Sequence, residues 1–229
     1  MPAAPAELAA DAVAVVRAGA GAIHLHPRDE SGAEALDAAA VLAAVSAVQA
    51  AVPGVPVGVT TGLWAADGSP ARRLELVAGW TGPGKPAFAS VNMSEPGAGE
   101  LAALLARLGI GVEAGVWTVA DADTLAGSGL LAGSGGLVRI LIEPQEPSPA
   151  GAVALAAGIE AALDRHGIAG PRLHHGYGLA TWQVQRAAVA LGRDIRVGLE
   201  DTLVLADGAA ARDNAELIAA AVGLAAAEH

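Results

Sequence analysis

Residues 22–61 read AIHLHPRDESGAEALDAAAVLAAVSAVQAAVPGVPVGVTT. A short apolar run at 22–27 is followed by an alanine-rich stretch of helix length at 36–52, and then by a valine-rich run at 55–61. Two short strand-like runs separated by one amphipathic helix are the signature of a crossover that joins parallel strands. The order strand, helix, strand therefore sets the fold class.

The same alternation extends in both directions. Further strands are predicted over 88–93, 112–117, 138–144, 172–176 and 195–201, which makes seven in all. Helices are predicted over 6–18, 36–52, 70–80, 98–108, 121–131, 149–166, 179–191 and 214–227. Punctuation supports these limits: Ser69 and Ser148 precede prolines suited to a first helical turn, and Gly109, Gly167 and Gly192 follow last turns. Residues 133–136 read as a turn before the strand at 138–144. Repeated βα units point to an α/β fold of the (β/α)8 barrel type, with residues 1–229 forming one domain. A full barrel needs eight strands, and this chain opens on a helix, so the first strand is expected to be missing.

Composition excludes several classes. No cysteine is present, which removes disulfides, thiolate metal ligands and cysteine nucleophiles, so any metal must be held by nitrogen and oxygen. With 24 acidic against 13 basic residues the formal net charge is −11, which repels a nucleic-acid backbone. The apolar stretches fall short of the roughly 20 residues of a membrane span, and the first residues lack the pattern of a secretory signal. A cytoplasmic protein without nucleic-acid or membrane partners is expected. The single lysine, Lys85, lies in a Gly-Pro loop, which argues against Schiff-base chemistry on a barrel strand.

Parallel barrels carry their chemistry at the C-terminal ends of strands, so polar residues that end apolar strands are the candidates. Two strands qualify. In Ile23-His24-Leu25-His26-Pro27-Arg28-Asp29 the histidines are two apart and share one face, so both imidazoles can meet one metal ion. Equally, histidines so placed can pack inside a barrel or bond to neighbours. In Ile195-Arg196-Val197-Gly198-Leu199-Glu200-Asp201 an arginine and two carboxylates gather at one strand end. Closure of a barrel would bring Glu200 towards His24 and His26, and two histidines with a carboxylate leave metal positions open for substrate. Arg196 and Asp201 could pair to ready a carboxylate for proton transfer, or simply clamp the rim.

The stretches AGAIHLHPRDESG, VTTG, ASVN, GVEAG and RVGLED, in this order, resemble the β-keto acid cleavage enzymes, whose named member is the 3-keto-5-aminohexanoate cleavage enzyme. That resemblance implies a zinc-dependent barrel, forming a dimer or tetramer, that condenses a β-keto acid with acetyl-CoA. CoA transfer and retro-Claisen cleavage would follow, giving acetoacetate or acetoacetyl-CoA, with the CoA thioester a cosubstrate. It further implies His24, His26 and Glu200 as metal ligands, Arg196 and Asp201 as a catalytic dyad, and Glu113 as an active-site glutamate. Thr60, Ser90 and Asn92 match its substrate-contacting positions. Where the family often has a second glycine after TG, this chain has Leu63 and Trp64, which implies a smaller or more apolar pocket.

His174 and His175 end a strand before Gly-Tyr-Gly, and read either as a turn with one solvated histidine or as a contact to substrate or the pantetheine arm. Trp80, Trp117 and Trp182 read as core or interface aromatics. Two other functions compete. A metal-dependent amidohydrolase also starts from His-x-His on a barrel strand, but recruits further histidines on later strands, and RVGLED suits it poorly. A degenerate barrel acting as a binding subunit would hold no zinc.

Overall fold

A computed structural model describes residues 2–131 and 136–227. Most of the turn expected at 133–136 lies outside them. Seven strands form one parallel sheet in strict chain order: β1 (Ile23–Leu25), β2 (Val57–Val59), β3 (Phe88–Asn92), β4 (Gly111–Val116), β5 (Leu137–Ile142), β6 (Arg172–His175) and β7 (Asp194–Arg196). Eight helices alternate with them: α1 (Pro5–Arg17), α2 (Ala38–Ala51), α3 (Pro70–Ala78), α4 (Ala98–Leu108), α5 (Val119–Gly127), α6 (Pro149–Arg165), α7 (Thr181–Ala190) and α8 (Asn214–Ala227). Among the described residues no strand precedes α1, so the sheet curls as a barrel with seven of its eight strands.

Local chemistry accounts for the helix limits. Ser69 and Ser148 accept hydrogen bonds from the backbone N–H groups of Arg72 and Gly151, with Pro70 and Pro149 opening the helices. α4 ends at Gly109 in the left-handed conformation, with φ of 67°, which a side chain would oppose. On α2, Val41, Val45 and Val48 recur at helical spacing and are fully buried against the sheet.

One correction concerns the last strand. The predicted run over 195–201 stops at Arg196, and Val197–Asp201 form a turn, with Asp201 N–H bonded to the Gly198 carbonyl. Past Arg196 the backbone hydrogen bonds close on the chain itself, with Thr202 N–H also bonded to the Gly198 carbonyl, so no ladder to β6 continues. The sheet is open, as a missing first strand implies, because its order runs from β1 to β7 without pairing the two. The helices bridge that opening: Asn214 Nδ2 donates to Asp11 Oδ2 at 2.7 Å, joining α8 to α1. The helix expected over 121–131 begins earlier, at Val119, because Thr118 and Asp121 form a capping box, and it ends at Gly127.

Inside the curl, strand parity decides which side chains face inward. Gly58 is required there, since a Cβ on it would lie 2.1 Å from the Phe88 ring. The Arg139 guanidinium stacks on that ring, 4.7 Å from its centroid, and pairs with fully buried Glu113.

Candidate active site

A cavity of about 220 Å³ opens at the C-terminal ends of the strands. His24, His26 and Glu200 line it, as do Arg196 and Asp201, and Thr60, Ser90 and Asn92 form part of its wall. Eight of the nine positions singled out in the sequence thus converge. Glu113 does not line this cavity. Its Oε2 is held by Arg139, and its Oε1 lies 3.9 Å from His24 Nδ1, so it sits beneath the site rather than open to it.

The histidines occupy distinct environments. His24 is buried, and its Nδ1 has no hydrogen-bond partner. Burial, reinforced by the charge of Arg196, holds it well below the ordinary histidine range, so it is a neutral imidazole with a lone pair to give. His26 presents Nε2 to Glu200 Oε2 at 3.1 Å and Nδ1 to Glu34 Oε2 at 3.0 Å. The two ring centroids are 5.2 Å apart.

These residues suit a divalent cation in chemistry. Nitrogen and carboxylate donors of this kind hold zinc, and a carboxylate behind a ligating histidine is the usual second support. Among the described residues, however, no three His, Asp or Glu side chains already converge as a metal cluster. Glu200 is instead drawn to Arg196, with which it forms a close ion pair. Burial pushes Glu200 upward, but Arg196 and His26 outweigh it and hold the carboxyl at about 2.

Asp201 is therefore not the hydrogen-bond partner of Arg196, contrary to the expected dyad. Its Oδ1 lies 2.5 Å from His175 Nε2, and its Oδ2 is buried without a partner. The four-residue spacing of Arg196 and Glu200 across the turn lets the guanidinium reach Glu200 first. Burial pushes His175 down, but the charge of Asp201 dominates and raises it to about 10, so it is an imidazolium. His175 Nδ1 faces Glu143 Oε2 at 3.6 Å. Burial pushes Glu143 upward, yet His175 and Arg196 keep it below the ordinary carboxylate range.

The reading of His174 and His175 as a turn with one solvated histidine also fails. Both are buried on β6 and point to opposite sides: His175 lines the cavity, while His174 Nε2 meets Glu160 Oε1 of α6 at 2.9 Å. Strand parity was the signal that could have separated them. Glu143 was missed as well, although it ends the apolar run LVRILI just as Glu200 follows β7. Trp117 borders the cavity rather than the core, whereas Trp80 and Trp182 are buried.

Around the polar wall, Asn92 Nδ2 donates to Glu95 Oε1 at 2.9 Å, and fully buried Arg73 pairs with Glu95 and donates to the Pro96 carbonyl. At the opposite end of the strands a shallower hollow of about 410 Å³ lies over Arg172 and Arg193. Both arginines are already paired with Glu160, and that face of a barrel serves stability.

A model of the beta-keto acid cleavage enzyme family matches residues 1–228. The chain belongs to that family. The amidohydrolase reading is set aside with this match. No curated protein matches the sequence. Among solved structures, apo ObcA superposes with a TM-score of 0.72 at 20% identity, over 95% of this chain and 60% of that one. ObcA in ternary complex with a C4-CoA adduct and oxalate gives 0.74 at 18% identity, over 95% and 62%. A more distant match is the 3-dehydroquinate dehydratase of Geobacillus kaustophilus HTA426, at 0.58 and 15% identity, over 82% and 75%. These identities establish a shared fold. The chain spans about 60% of the length of the ObcA structures. For this family member, no helix among the described residues is long and apolar enough to cross a membrane.

Proposed function

We propose that residues 1–229 act as one catalytic domain that cleaves a β-keto acid, with acetyl-CoA as cosubstrate and acetoacetate or acetoacetyl-CoA as product. The observation that carries this reading is the convergence of His24, His26, Glu200, Arg196 and Asp201 on one cavity in a chain of this family. ObcA, whose structures hold oxaloacetate or a C4-CoA adduct, supports a keto acid and a CoA thioester as the ligand classes.

Under this reading His24, His26 and Glu200 hold zinc, which when bound supplies Lewis acidity towards the keto oxygen of the substrate. Asp201 takes the proton from the carbon between the two carbonyl groups through its free Oδ2, while His175 holds Oδ1 and fixes the carboxylate. Arg196 keeps Glu200 ionised through their close ion pair. Thr60, Ser90 and Asn92 bind the substrate's polar groups, with Asn92 braced by Glu95. Glu113 lies beneath His24, 3.9 Å from its Nδ1, instead of touching substrate. Attack on acetyl-CoA, transfer of CoA and retro-Claisen rupture of the carbon–carbon bond complete the sequence. The protein works in the cytoplasm as a homodimer or homotetramer.

The test is a panel of β-keto acids incubated with acetyl-CoA, with the acetoacetyl and CoA-ester products measured. Elemental analysis should find about one zinc per chain, lost on His24→Ala with His26→Ala. Asp201→Asn should abolish turnover while retaining zinc. Zinc retained by the double histidine variant, or full turnover in Asp201→Asn, overturns the assignment, and a chain with neither zinc nor activity is a binding subunit.

A further inference from the structure

The loop between β1 and α2 folds back on itself. Asp29 N–H bonds to the Ala33 carbonyl, Ala35 N–H bonds to the Pro27 carbonyl, and Arg28 and Glu34 form an antiparallel bridge. This return places the Glu34 carboxylate beside the end of β1, where three groups converge on it. Oε2 lies 3.0 Å from His26 Nδ1 and accepts from Trp64 Nε1 at 2.8 Å, while Oε1 faces Arg28 at 3.4 Å. The Trp64 indole also lies nearly parallel to the His26 ring, at 18° and 6.5 Å between centroids. An indole N–H can only donate, so it fixes one lone pair of the carboxylate and with it the direction of the other.

We infer that Glu34, anchored by Trp64, is the positioning residue that readies His26 for a divalent cation. An ionised carboxylate can only accept, so when a cation takes Nε2 in place of a proton, Glu34 holds the remaining proton of His26 on Nδ1. Nε2 is then the nitrogen presented to the cavity, and it is the one 3.1 Å from Glu200 Oε2. Trp64 acts through the carboxylate, which its indole N–H holds at 2.8 Å. The inference rests on His26 being a metal ligand, as proposed above. Arg28 faces the other carboxylate oxygen and contributes to the loop, not to the histidine.

The experiment measures zinc affinity by competition with a chromophoric chelator, and the absorption bands of the Co²⁺-loaded protein, for the parent, Glu34→Ala, Glu34→Gln and Trp64→Phe, with His26→Ala as control. Outer carboxylates of this kind contribute roughly 10–100-fold to metal affinity. Glu34→Ala should raise the zinc Kd by about that factor and shift the Co²⁺ bands. Glu34→Gln, which keeps an acceptor but not its charge, and Trp64→Phe should move both readouts in the same direction by less. Should Glu34→Ala not fold, the Gln and Phe variants decide alone. Parent-like Kd and spectra in all folded variants, alongside loss of metal in His26→Ala, overturn the role of Glu34 but leave the metal site standing. A parent chain that binds no zinc, or a His26→Ala chain that binds as well as the parent, overturns both.

Discussion

Replacing His175 by leucine isolates the largest electrostatic commitment of the site. His175 and Asp201 are paired at 2.5 Å, with side chains only 5% and 2% exposed. Removing one partner of a buried ion pair strands the other charge away from water, at a cost of about 3–5 kcal/mol. Arg196 is near enough to interact with Asp201 and offsets part of this, so the lower end, about 3 kcal/mol, is expected. The double variant His175→Leu with Asp201→Val removes both charges and keeps the volume, so it should recover most of the loss, to within about 1 kcal/mol of the parent. Urea unfolding followed by far-ultraviolet circular dichroism at pH 7 gives each value. A single variant as stable as the parent, or a double variant no better than the single, refutes the view that Asp201 depends on His175 for its burial.

The same pair sets a pH dependence. Folding raises His175 from about 6.5 to about 10, so its contribution is complete below pH 6.5 and fades as pH rises through 10; unfolding free energy that instead increases across this window contradicts the pairing. Arg73→Met should cost about 3–5 kcal/mol by stranding Glu95, and should raise the KM for substrate through Asn92; unfolding and steady-state kinetics read the two effects separately. Gly58→Ala should cost about 1–3 kcal/mol or more, because its methyl would meet the Phe88 ring, and thermal unfolding should show it at once.

The alternation of elements was legible because strand and helix periods differ, and because proline and glycine mark the ends of α3, α4 and α6. His24 and His26 were legible for the same reason, since two residues apart means one face. What the sequence could not supply was partner choice across the cavity. Arg196 has Glu200 and Asp201 both within reach, and the turn through Gly198 carries the residue four positions on, Glu200, to its guanidinium. Asp201 then takes a histidine 26 positions earlier, a contact set by the packing of β6 against β7. Glu34 was invisible for a related reason: a loop residue acquires its place only when the backbone folds back.

The strict order of the sheet has a consequence for how the molecule comes into being. Each hydrogen-bonded strand pair joins neighbours in the sequence, so every βα unit can dock on the one made before it as synthesis proceeds. The contact that brings the two ends of this row together, Asn214 with Asp11, spans 203 positions. The cavity is divided in the same way, with His26 from just past the earliest strand and Glu200 from beyond the latest. Chemistry thus comes late to this chain: a nascent form ending before β7 can hold six of the seven strands and still lack Arg196, Glu200 and Asp201, and a ligand that bridges His26 and Glu200 acts as a latch on the finished ring, slowing its reopening.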